Sequence, residues 1–380
     1  MSMRRVAQLA GVSTATVSRV FHENPCVSAE TAAAVRQAVE RIGFTPAPRK
    51  RRYGANGNGT NDAVAKGAIA FLVLGTAGSS ATPAFEKLLR GVTEAVNASD
   101  LSFVLSFVSN PAEIPSRVRD RQLVGVLCHG DQPTDAALGW LQALPTVWLM
   151  ANRHRPRWGD QVMPNNAVIG DTAGRYLVRR GHRRLAYLGL AREGWCMGLR
   201  SFAFRKAAED AGAAADVFEA PAAAVEDGRD YWHGDGELTS AAPDRLVGQI
   251  VAASPMPTGL FVAEDRLLPM VDRALRSRDV RPGSDVEIIA CNNEQPHYAR
   301  LASQPARIDI RTEAIGRRGV EQLIWRIASG GDAAERIRVM VDPVLIEPND
   351  AENGVTSHVP GESADRPSAE VEVEVPITSH

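Results

Sequence analysis

The chain has 380 residues, 44% of them hydrophobic, and its 43 basic and 45 acidic side chains leave a net charge of −2. That length exceeds one typical domain, and the apolar content suits a water-soluble protein with a sizeable core. No apolar run approaches the ~20 residues of a membrane helix, the first residues lack the apolar stretch expected of a signal peptide, and the four scattered cysteines (Cys26, Cys128, Cys196, Cys291) form no Cys-x-x-Cys pair. A disulfide framework and a zinc site are therefore not expected, and a cytoplasmic location is.

Chain order begins with three short helices. Val6, Leu9 and Ala10 fall at helical spacing and stop at Gly11, a residue able to take the left-handed conformation that ends a helix. Ser13 then stands at an N-cap, and Val17, Val20 and Phe21 make the next apolar stripe, leaving Thr14, Ala15, Ser18 and Arg19 outward. A third helix is expected from Ser28, with Val35, Ala38, Val39 and Ile42 on one face and Gly43 and Pro46 beyond its end. Two helices joined by a glycine turn, with a third packed on them, form a helix-turn-helix whose second helix enters the major groove. Charge supports this over an ordinary helical cap. Residues 1–53 carry nine Lys or Arg against three acids, a net of +6, so the rest of the chain is near −8.

After the basic stretch Arg49 to Tyr53 comes a Gly/Asn run (54–62), with the composition of a flexible linker. Beyond it, apolar runs at 68–74, 103–105, 125–127, 146–150, 185–188, 259–262 and 286–290 alternate with helical stretches such as Phe85 to Ala98. This alternation predicts parallel sheets covered on both faces, with ligands beyond the carboxyl ends of the strands. From Asp350 to His380 there are seven acids and one base among scattered Pro, Ser and Gly, which predicts a disordered acidic tail without coiled-coil heptads.

Val6-Ala7 through Arg19-Val20, then Val27 to Thr31 and Gly43-Phe44-Thr45-Pro46, resembles the headpiece of the lactose-repressor (LacI/GalR-type) family. The resemblance continues less tightly through Val162 to Asn166, Gly170 to Tyr187, Arg200 to Phe204 and Pro257 to Asp265. It implies an all-α helix-turn-helix headpiece on an α/β, periplasmic-binding-protein-like body of two doubly wound subdomains. The implied domains are a DNA-binding head at 1–46, a hinge and linker at 47–67, an effector-binding and dimerisation body at 68–349 with crossovers near 162, 293 and 322, and the tail at 350–380.

The same resemblance places base reading on Thr14, Ala15 and Arg19, where arginine suits a guanine edge and the small side chains a thymine methyl. Ser13, Thr16, Ser18 and Ser28 are candidates for phosphate contacts, which position without specifying. In the hinge, Arg51 matches the usual arginine, whereas Tyr53 stands where the family has a leucine that wedges into the minor groove. Tyr53 is then either a bulky wedge or part of a basic tether touching phosphates. In the body, Arg200 and Asp265 match effector-binding positions; an arginine fork and a carboxylate can grip vicinal hydroxyls. Phe85 and Trp195 are candidates to stack on a sugar, and Asn292 and Asn293 to offer amide groups. Two departures change the pocket: Glu264 replaces the usual asparagine, and Ala290 to Asn293 replaces Gly-x-Asp-Asp.

The expected function is a transcriptional regulator, a repressor, that binds double-stranded operator DNA as a homodimer under control of a small carbohydrate-like effector. No cofactor, metal or membrane partner is implied. A soluble sugar-binding protein is the alternative that the body alone would allow, and the basic head opposes it. An enzyme on a doubly wound fold is disfavoured, because no nucleophile elbow, phosphate loop or paired metal ligands occur. His182, at a helix-to-strand turn, is expected to cap backbone carbonyls rather than to catalyse.

Overall fold

A computed structural model describes residues 3–13, 16–17, 20, 29–42, 67–75, 82–99, 101–110, 113–120, 122–151, 158–190, 195–220, 241–330, 335–348 and 371–373. The chain forms two units, Met1–Ala55 and Asn56–His380, and the division falls inside the expected linker.

In the first unit, α1 (Met3–Leu9) and α2 (Ala29–Ile42) flank helical residues 16–17 and 20. Val6, Ala7, Val17, Val20, Val35 and Ala38 are its buried core. Leu9, expected on the buried stripe, is instead 42% exposed, because the face that α1 turns inward runs through Val6, Ala7 and Ala10. The expected hinge residues Arg51 and Tyr53 lie outside the described residues.

The second unit holds two sheets. In chain order its elements are β1 (Ala68–Leu74), α3 (Pro83–Asn97), β2 (Ser102–Val108), α4 (Ser116–Arg119), β3 (Gly125–Gly130), α5 (Asp135–Leu141), β4 (Thr146–Leu149) and β5 (Asp160–Pro164). Next come α6 (Asn166–Arg179), β6 (Arg184–Leu190), α7 (Trp195–Asp210), β7 (Ala214–Ala220), α8 (Ala241–Ala252), β8 (Gly259–Val262), α9 (Leu268–Arg276) and β9 (Glu287–Cys291). The last are β10 (Ala306–Asp309), α10 (Thr312–Ser329), β11 (Ile337–Val341), β12 (Val344–Ile346) and β13 (Val371–Val373). One lobe is built on the seven-stranded order β13-β11-β5-β4-β3-β1-β2, the other on the six-stranded order β12-β10-β9-β8-β6-β7. Among the described strand pairs, only β11–β13 and β10–β12 are antiparallel.

The apolar runs are continuous because both faces of these sheets are covered. Along β1, Ile69, Phe71 and Val73 join one core while Ala70, Leu72 and Leu74 join the other. Across β6, Leu185 and Tyr187 face one core of the second lobe and Ala186 and Leu188 the other. Each such large side chain, fully buried, contributes roughly 1.5–3 kcal/mol.

Within the described residues the chain passes between lobes at Asn165, at Ile310–Arg311 and at Asp342–Pro343, and β13 lies back in the sheet of the first lobe. The first crossing agrees with the expectation near 162. The other two lie later than expected: position 293 is still in a loop of the second lobe before β10, and position 322 is inside α10. Family-style spacing could not locate them, because their place depends on how long β10 and α10 run. The tail also needs a correction. Residues 371–373, expected to be disordered, pair antiparallel with β11. Val371, Glu372 and Val373 alternate with the period of a strand, a pattern that the charge count obscured. None of the described helices is long and apolar enough to cross a membrane.

Candidate DNA-reading head and effector cleft

In the head, Gly11 has φ +64°, the left-handed value that lets the chain turn between the first two helices. Ser13 caps the second helix: its Oγ accepts from Thr16 N at 3.1 Å and its carbonyl from Val17 N at 3.1 Å. The two hydroxyls Ser13 Oγ and Thr16 Oγ1 lie 2.9 Å apart. Ser13, named as a phosphate contact, thus serves first to start the helix, and its exposed hydroxyl can still donate. Thr14, Ala15, Ser18, Arg19 and Ser28 lie outside the described residues.

The cleft is built from strand ends. Asn166 begins α6 immediately after the first crossing, and Gly170 and Gly174 follow it at one-turn intervals facing α7. A Cβ on Gly170 would lie 2.2 Å from Arg200 O, so the missing side chain lets α7 press against α6. That close packing delivers Arg200, 1% exposed, to the carboxyl end of β8. Its Nε donates to Asn166 Oδ1 at 2.7 Å and its Nη1 to Ala263 O at 2.8 Å.

Two residues beyond Ala263 stands Asp265, fully buried. One carboxylate oxygen accepts from Glu294 N at 2.7 Å and the other from Tyr298 Oη at 2.6 Å. Burial pushes the Asp265 carboxyl well above its ordinary range, against the opposing pull of those two hydrogen bonds. Burial likewise raises the Tyr298 phenol, whose ring carries the Arg307 guanidinium at 4.2 Å. Asp265 therefore holds the segment after β9 in place, and a ligand hydroxyl would meet it by exchanging with Tyr298 Oη. Glu264, which departs from the family pattern, is 4% exposed and held by Arg266, whose Nε donates to it at 2.7 Å.

Asn292 and Asn293 both take positive φ, +116° and +58°, as asparagine tolerates better than most residues. The Asn293 side chain donates to Asp309 Oδ2 at 3.0 Å, so its amide is spent on the loop. Trp195 opens α7, five positions before Arg200, and is half-buried. Phe85, named as a stacking platform, is 6% exposed, with ring centres 6.0 Å from Phe71 and 5.8 Å from His129. Its ring is engaged within its own lobe. The first lobe reaches the cleft corner instead through Lys87, whose Nζ donates to Asn293 O at 2.9 Å.

His182 neither caps a carbonyl with its ring nor faces the cleft. Its Nδ1 is 3.0 Å from Thr258 Oγ1 and its Nε2 2.8 Å from Glu287 Oε2. Burial pulls Glu287 upward, but hydrogen bonds from His182, Tyr176 and Arg180 outweigh it and leave the carboxyl below its ordinary value. Sequence reading missed Asn166, Tyr298 and Lys87. The Asn166, Gly170, Gly174 spacing was a legible signal for the first; the other two are fixed by contacts far apart in the chain.

Residues 2–47 match the family model of bacterial regulatory proteins, lacI family, and residues 175–347 match the periplasmic binding protein-like domain. The chain is 26% identical over 362 residues to the HTH-type transcriptional repressor PurR of Erwinia tasmaniensis, covering 93% of this chain and 97% of that one. It is 24% identical over 353 residues to the ribose operon repressor of Escherichia coli K12, covering 91% and 98%. Among solved structures, the transcriptional regulator CelR–cellobiose complex superposes with a TM-score of 0.58 at 21% identity, covering 91% of this chain and 98% of that one. The lac repressor dimer bound to operator and the anti-inducer ONPF gives 0.54 at 17% identity with the same coverage. These structural likenesses establish the shared fold.

Proposed function

We propose that this chain is a LacI-type transcriptional regulator rather than an enzyme, a repressor whose hold on operator DNA is set by a small effector in the body cleft. The observation that carries this reading is the joining of a lacI-type head to a two-lobed body in which Arg200 is held between Asn166, next to the first crossing, and Ala263. Two copies related by a two-fold axis would place two heads on a pseudo-palindromic operator, one per half-site, in the cytoplasm where that DNA lies. Thr14, Ala15 and Arg19 would read bases, with Ser13, Thr16, Ser18 and Ser28 on phosphates and Arg51 and Tyr53 at the minor groove. In the body, Arg200 would grip the effector directly, Asp265 through exchange with Tyr298, and Phe85, Trp195, Asn292 and Asn293 would shape the walls. The ribose operon repressor and a regulator bound to cellobiose are the relatives that favour a carbohydrate effector.

Operator selection from random duplexes, followed by fluorescence anisotropy at several salt concentrations, tests the proposal. Steeply salt-dependent binding to one palindrome is expected. Arg19→Ala should lose specific affinity by about 1–3 kcal/mol, and an unchanged affinity would remove the recognition assignment. Arg200→Ala should bind operator yet ignore the effector; a normal effector response would remove the pocket assignment.

A further inference from the structure

One edge of the seven-stranded sheet is held in shape independently of the strand that closes it. β11 pairs in parallel with β5, from Arg338 opposite Gln161 to Val341 opposite Pro164. Its start is pinned by Ile337 N, which donates to buried Asp160 at 3.0 Å, and its end by Val341 O, which accepts from Asn165 N at 2.9 Å. Neither bond involves β13. Without β13, β11 therefore remains a fixed edge strand, and four of its five residues, Ile337, Val339, Met340 and Val341, are apolar. Such an edge is a ready template for a strand of another chain.

The segment paired with this edge matches it in register. β13 runs antiparallel to β11, with Val373 opposite Ile337, Glu372 opposite Arg338 and Val371 opposite Val339. The register sets valines across from apolar residues and the acid across from the base, an arrangement that favours an antiparallel pair. A slip by one residue would set a valine across from Arg338 instead. The local sequence, Glu370-Val371-Glu372-Val373-Glu374, places an acid at every second position. With β13 added, the outermost strand of the sheet is rich in acids, whereas β11 alone is apolar. Two acidic edges brought together oppose like charges, which disfavours their pairing.

We propose that β11 is a strand-docking edge whose occupant is the acidic segment around Val371–Val373 of the same chain, a cover that keeps the body from pairing edge to edge with further copies. The cover acts in two ways. Its backbone and valines complete the ladder on β11, and its glutamates make the completed edge a poor partner for another strand. The acidic tail thereby has a role that neither DNA reading nor effector binding supplies.

Two variants of the full chain test these two actions. Val371→Pro with Val373→Pro removes backbone donors, so the ladder on β11 cannot be completed. Hydrogen exchange of the β11 amides should then quicken by about tenfold or more, and sedimentation velocity should show association beyond the parent's oligomer. A peptide of residues 367–376 added to this variant should restore slow exchange and the parent's size. Glu370→Gln, Glu372→Gln and Glu374→Gln in one chain keep the ladder and remove the charge. That variant should exchange at β11 as slowly as the parent and still associate further. Thermal unfolding verifies that both variants are folded. A proline variant with the parent's exchange, or with the parent's size, overturns the proposal, and a glutamine variant with the parent's size overturns the part played by the charges. Protection of β11 in the parent that falls on dilution overturns it as well, because the strand would then come from a second copy.

Discussion

Asn165, at the first crossing between the lobes, donates its side-chain amide to Asp342 at the third, at 2.9 Å. Its backbone N–H donates to Val341 O at 2.9 Å, and its Oδ1 accepts from Val168 N as the cap of α6. One residue therefore clasps two hinge segments and starts the helix that supports Arg200. Replacing it with alanine should lower stability by about 0.5–2 kcal/mol through the lost cap alone. Urea unfolding measures this, and Asn165→Asp, which keeps the cap but brings two carboxylates together, should recover only part of the loss. An unaltered midpoint in Asn165→Ala would show that the clasp is idle.

A second clasp closes the first lobe. Arg326 Nε donates to Asp160 Oδ2 at 2.9 Å, and Ile337 N and Gln322 Nε2 add bonds to the same carboxylate at 3.0 and 2.7 Å. The pair joins β5, α10 and the start of β11, and both side chains are buried. Arg326→Met leaves a buried carboxylate without its cation and should cost about 3–5 kcal/mol. The double variant Arg326→Met, Asp160→Leu should cost less than the sum of its parts, and strict additivity in chemical denaturation would refute the coupling.

Gly170→Ala probes how Arg200 is placed. With Arg200 O only 2.2 Å from the added methyl, α7 must move off α6. Overpacking of this kind costs about 1–3 kcal/mol, and the displacement should carry Arg200 away from Asn166 and Ala263. The expected phenotype is near-normal operator affinity with a weakened effector response. A full response in a folded Gly170→Ala protein would mean that the α6–α7 contact does not position the site.

Asp265 predicts a pH dependence. Its carboxyl is raised in the fold above the ordinary 3.8, so the folded state binds the proton more tightly than the unfolded chain. Stability from this group is present below 3.8 and is lost as pH rises from there through the folded value. Asp265→Asn removes the titration while forfeiting the acceptor for Glu294 N. Its stability relative to the parent should therefore improve steadily as pH is raised from 3.8. A difference independent of pH, in urea melts across that range, would contradict the assignment.

Much of this molecule was readable in one dimension. The stripe of Val6, Val17, Val20, Val35 and Ala38 gave the head, because a short helix has only one face to bury. Unbroken runs such as Ala68–Leu74 gave the parallel strands, because covering both sheet faces removes the alternation that one exposed face would impose. Other elements escaped notice. β10 is only Ala306–Asp309 and β12 only Val344–Ile346, too short for periodicity to speak, and the acidity around Val371–Val373 hid a strand pattern.

The sequence by itself determined the identities and the periodicities: a basic three-helix head, a doubly wound body, and Arg200 and Asp265 at positions of chemical interest. Only the tertiary structure decided what those side chains do. Arg200 meets Asn166 and Ala263, Asp265 meets Tyr298 and Glu294, and Lys87 meets Asn293 from the opposite lobe. Helix and strand patterns arise from neighbours a few residues apart, so sequence records them directly. A hydrogen bond such as Lys87 to Asn293 joins positions 206 apart, and its existence depends on how the crossings bring the lobes together.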